Sequence, residues 1–129
     1  MSERTELLPN KRREPRFALE PRLALGILRD ARPEIPAQLV NVRRSGATIL
    51  SDVLLGDRGG LLVLDLPDRS TLDRAPVPCE LCWVLAEQDA LSARWLHGTR
   101  FCRIDAKARR LINALVHDAR GAQTRIRDG

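Results

Sequence analysis

Ala37-Gln38-Leu39-Val40-Asn41-Val42-Arg43-Arg44-Ser45-Gly46-Ala47-Thr48-Ile49-Leu50 is the stretch on which the fold turns. Two short apolar runs rich in Val, Ile and Leu flank a polar corner that ends in glycine, the pattern of two strands joined at a turn. The same grammar extends outward. Upstream, Leu23, Leu25 and Ile27 alternate as in a half-buried strand, and Ala31-Arg32-Pro33-Glu34 reads as a turn. Downstream, residues 56–60 read as a loop, 61–66 as a compact apolar strand, 67–76 as a second loop, 79–86 and 91–102 as further strands about a turn at 87–89. About six short strands within residues 17–103 predict a barrel or sandwich, since closure removes exposed sheet edges.

The period then changes. Ala108, Leu111, Ile112, Leu115, Val116 and Ala119 recur at helical spacing behind Asp105, a capping residue, and Gly121 stands where a helix stop belongs. The predicted architecture is mainly β: a six-stranded antiparallel, Greek-key-like split β-barrel with one C-terminal α-helix over about 105–120. Residues 1–16 read as a flexible basic arm, 17–120 as the barrel domain with its helix, and 121–129 as a loose polar tail.

A chain of 129 residues with 43% hydrophobic and 30% charged residues has the composition of a single globular domain. Its net charge of +5 comes almost wholly from arginine, as Lys11 and Lys107 are the only lysines. Such a balance favours anionic partners. No apolar run reaches the length of a membrane span, and residues 1–10 lack the apolar core of a secretory signal; the expected place is the cytoplasm, with no membrane partner.

Two basic signatures carry the chemistry. Arg12-Arg13-Glu14-Pro15-Arg16 contains Arg-x-x-x-Arg just before the first strand, and Asn41-Val42-Arg43-Arg44-Ser45-Gly46 reads Asn-x-x-x-x-Gly at the strand turn. Arginine forks onto the O6/N7 edge of guanine and onto phosphate oxygens. Asparagine can recognise an exocyclic amine, and glycine lets a ligand approach the backbone. A solvated basic terminus, a strand-end Asn bonding its own backbone and a turn Gly needing positive φ are the plain alternatives for each residue taken alone.

Together the two signatures resemble the PilZ domain, a bacterial module whose pattern is Arg-x-x-x-Arg followed by Asp/Asn-x-Ser-x-x-Gly. Arg12, Arg16, Asn41 and Gly46 match that pattern, while Arg43 stands at the Ser position. Gly98-Thr99-Arg100-Phe101 ending a strand and Ile104-Asp105 leading into a helix look like the same family, so the resemblance spans about residues 11–117. It implies a second-messenger receptor that binds cyclic di-GMP through Arg12, Arg13, Arg16, Asn41, Arg43 and Gly46 and passes the signal to a downstream protein. Arg43 either adds a phosphate contact or fills the site; in the second case the chain is an adaptor acting through protein contacts alone.

Other chemistries find less support. Cys79-Glu80-Leu81-Cys82 with His97 and Cys102 could supply a Cys3His zinc set. Residues three apart on a strand point to opposite faces, however, so the three cysteines read as small hydrophobes and no metal is expected. His97 and His117 are the only histidines, and no nucleophile–base constellation or phosphate loop is present; no catalysis and no cofactor are expected. A nucleic-acid-binding barrel is the rival from another class, but the four aromatics, Phe17, Trp83, Trp95 and Phe101, fall in strand patterns or beside Arg16 and give no evident stacking surface.

Overall fold

The computed structural model describes residues 16–29, 32–68, 71–88 and 93–128. Six strands and one helix follow in order: β1 (Phe17–Ile27), β2 (Ile35–Arg43), β3 (Gly46–Ser51), β4 (Leu61–Pro67), β5 (Arg74–Gln88), β6 (Ala93–Phe101) and α1 (Ala106–Asp128). All pairings are antiparallel, and the strands close into a barrel in the order β1-β2-β3-β6-β5-β4. The predicted mainly-β barrel with a C-terminal helix is the observed fold.

The lumen is filled by branched aliphatic side chains, among them Leu39, Val42, Ile49, Leu64 and Val77, each at most 1% exposed. Helix α1 adds its apolar stripe, from Ala108 to Ala119, to the same core. Its start is fixed as the sequence indicates: the Asp105 Oδ1 accepts the Ala108 backbone N–H at 2.8 Å, meeting one of the unpaired amides of the first turn. Further along it, Arg120 lies 5.7 Å from the centroid of Phe17, a cation–π contact.

Three boundaries differ from the sequence reading. The helix does not stop at Gly121 but runs to Asp128. Gly inside a helix costs about 1 kcal/mol relative to Ala, and no proline follows to enforce a stop. Strand β5 begins at Arg74, inside the expected 67–76 loop, and contains Pro76 and Pro78. Over that stretch β5 pairs with β4 alone, since β6 joins only from Cys79 onward. Alternate prolines fit there because their nitrogens can point to the unpaired side. Strand β1 begins at Phe17, ahead of the alternation at Leu23, Leu25 and Ile27, and its register to β2 slips between Ala18 and Leu23. Pro21, which has no N–H to give, lies in that interval. The turns expected at 31–34 and 87–89 fall partly outside the described residues.

The connection from β3 to β4 is fastened to the far strands. Gly59, at φ 89°, donates its N–H to the Leu81 carbonyl at 2.7 Å, and Leu81 donates to the Gly60 carbonyl at 2.8 Å. Further in, the Leu55 N–H donates to Nε2 of the fully buried His97 at 3.1 Å. Nδ1 then carries the ring proton, 3.4 Å from the Ile49 carbonyl. Burial pushes the His97 pKa below its ordinary value, and the carbonyls of Ile49 and Trp95 offset this only in part. A group held neutral in this way stabilises the fold fully above its unfolded pKa of about 6.5, and that stability is lost as pH falls from there towards the folded value. Denaturant midpoints measured from neutral to mildly acid pH should therefore fall more steeply for the wild type than for His97→Gln; parallel profiles would contradict this role.

Candidate functional site

Register decides which residues share a surface. The row Val42–Ala47–Thr99–Leu81 runs across β2, β3, β6 and β5, and all four residues are buried towards the lumen. The rows on either side of it must then face outward. One is Asn41–Thr48–Gly98–Trp83, extended onto β1 by Ala18. The other is Arg43–Gly46–Arg100–Glu80. Phe17 is the partner of Val42, so Arg16, one residue earlier, begins beside Arg43 on this outer face.

Two β-bulges make that assignment possible. The β2–β3 register shifts between Leu39 and Asn41, and the β5–β6 register shifts between Leu81 and Trp83. Leu39 and Leu81 are core residues at 1% exposure. Two positions later, Asn41 and Trp83 would also face the core on a regular strand. The extra residues Val40 and Cys82 turn them outward instead, the kind of re-aiming that bulges perform beside functional surfaces.

Glycine shapes the floor. A Cβ on Gly46 would run into the Thr99 backbone carbonyl, and one on Gly98 would run into the Trp83 ring. Positive φ among the described residues falls on Arg103, Gly56 and Gly59, so Gly46 is required for close approach of β6 and not for a turn conformation. Arg43 and Arg100 consequently flank a position without a side chain. Two strand spacings set their backbones about 10 Å apart, a slot of the width of a phosphate or a planar base edge. At the next row Trp83 lies against Gly98, beside Thr48 and Asn41.

The electrostatics match an anion. Arg16, Arg43, Arg44 and Arg100 gather at one end of the face, and Arg44 with Ser45 forms the β2–β3 turn. Arg100 donates to Glu80 through Nη2, and that hydrogen bond holds the guanidinium more firmly protonated. Of the residues read from sequence as ligand-binding, Arg16, Asn41, Arg43 and Gly46 thus meet on one surface; Arg12 and Arg13 lie outside the described residues. Sequence reasoning missed Thr48, Trp83, Gly98 and Arg100 as members of the site. The signal that would have found them is the register, which depends on bulges that leave no mark in residue type.

The cysteines lie elsewhere in role. Cys79 is fully buried, and burial pushes its thiol pKa up to about 12. Cys82 is the β5 bulge residue. Among the described residues, no three His, Cys, Asp or Glu side chains come together as a metal set, and no helix is long and apolar enough to cross a membrane.

The family model for the PilZ domain matches residues 10–118. The fold is similar to the PilZ domain with c-di-GMP of YcgR from Escherichia coli, with TM-score 0.61 and 14% identity, covering 88% of this chain and 98% of that one. It is similar to the MrkH–c-di-GMP complex from K. pneumonia, with TM-score 0.68 and 14% identity over 89% of this chain and 55% of that one. It also resembles the inhibitor of motility MotI/DgrA from Bacillus subtilis, with TM-score 0.63 and 16% identity over 89% and 52%. The chain spans about half the length of the last two. No curated protein sequence matches it.

Proposed function

The chain belongs to the PilZ domain family, and from that premise we propose that it is a cytoplasmic receptor for the bacterial second messenger cyclic di-GMP. The observation that supports this most is the single outer face that holds Arg16, Asn41 and Arg43 around the glycine slot at Gly46. Arg16 and Arg43 fork onto guanine edges or phosphate oxygens, Asn41 reads a guanine, and Trp83 offers an aromatic surface on which a base stacks. Arg12 and Arg13, a few residues before Arg16, close over the same ligand. The arm fixed across the face in the bound state presents a changed surface to a downstream protein target. Nucleic acid is a poorer fit, because the stacking surface is one ring wide.

Amide shift mapping with cyclic di-GMP tests the placement. The expected perturbations lie at Asn41, Arg43, Gly46 and Gly98 and at the Trp83 indole; perturbations confined to another surface would overturn it. A second reading keeps the fold without the nucleotide. Arg43 stands at the Ser position of the family pattern and is half-buried beside Gly46, where it can fill the slot and leave protein–protein contact as the function.

A further inference from the structure

The outer row Arg43–Gly46–Arg100–Glu80 carries one carboxylate among its arginines. Glu80 engages Arg100, although the Arg100 side chain is 64% exposed and that of Glu80 33%. An ion pair this open to water contributes little to stability. Its position gives it another consequence. Arg100 lies directly across Gly46 from Arg43, so the two residues flank the same slot, and Glu80, on the other side of Arg100, is the fixed negative charge nearest to it along that row.

We infer that Arg100 is a further anion-contacting residue of this face and that Glu80 is its resident competitor, holding the guanidinium until a phosphodiester displaces the carboxylate. The inference rests on reading this face as the nucleotide site. Guanidinium forks onto a carboxylate and onto a phosphate with the same planar geometry, so the exchange needs no change of backbone. A phosphodiester in the slot lies between two arginines, Arg43 and Arg100, whereas Glu80 offers Arg100 a single carboxylate; the two-arginine clamp favours the ligand. The carboxylate also repels any incoming anion at short range. It therefore acts as a brake on affinity, and weakly held anions that engage one arginine do not release it.

The test is calorimetric titration of the wild type, Glu80→Gln and Arg100→Ala with cyclic di-GMP and, separately, with inorganic pyrophosphate, with thermal melts to establish that each variant folds. Both substitutions are on the exposed face and should leave the melts nearly unchanged. Glu80→Gln is expected to tighten binding, and Arg100→Ala to weaken it, each by roughly fivefold or more. Wild type that binds cyclic di-GMP with Glu80→Gln no tighter would overturn the inference and leave the receptor reading standing. Failure of all three to bind cyclic di-GMP, with pyrophosphate affinity still rising in Glu80→Gln and falling in Arg100→Ala, would sink the receptor reading and support the charge exchange. Equal affinities for both probes across the three proteins would overturn it outright.

Discussion

Gly46→Ala should lower the stability of the fold by about 1–3 kcal/mol, the usual cost of forcing extra atoms into a packed interior. The added methyl would meet the Thr99 carbonyl oxygen, which is part of the β6 backbone. That oxygen cannot swing aside as a side chain can, so β3 and β6 must separate along the Ala47–Thr99 ladder. The Thr99 hydroxyl donates to the Ala47 carbonyl at 2.9 Å across the same pair, and that bond would lengthen with the strands. Urea denaturation checks the expectation, and an unchanged midpoint would contradict it. The same substitution narrows the slot between Arg43 and Arg100, so any folded Gly46→Ala should also bind anions less well. Gly46 thus serves the sheet first, and the ligand face through the sheet.

Arg16→Ala and Arg43→Ala should each weaken cyclic di-GMP binding by about 1–3 kcal/mol, the worth of one bidentate contact to a guanine edge. In affinity that is roughly 5- to 150-fold. The two residues start side by side, because Phe17 pairs with Val42, and their losses should fall short of additive if both hold the same phosphate or base. Arg43→Ser separates the two readings of this chain. Weaker binding means that arginine at the Ser position contacts the ligand. Tighter binding means that it obstructs the slot, and the adaptor reading then gains what the receptor reading loses.

The β2–β3 hairpin was legible because its apolar runs, its polar corner and its closing glycine all agree, and the helix because Asp105 and six apolar residues keep one period. Much of the site was not. Alternation from Leu39 places Asn41 in the core, and alternation from Leu81 places Trp83 there, yet single extra residues at Val40 and Cys82 reverse both. A bulge is chosen by packing across strands, and no residue type announces it. Arg100 and Glu80 became neighbours of Arg43 only once β6 was known to lie between β3 and β5. Residues 67–76, bounded by prolines, read as a loop because the sequence does not show that β5 lacks a second neighbour at Pro76. Gly121 suggested a stop that the seven helical residues after it override.

The measurement that bears most directly on the receptor reading is calorimetric titration of the whole chain with cyclic di-GMP at physiological salt, with GTP as the control. Saturable binding of cyclic di-GMP and much weaker binding of GTP are expected, since the arginine-lined face is proposed to hold a cyclic dinucleotide. No binding, or equal binding of the two nucleotides, would contradict the receptor reading.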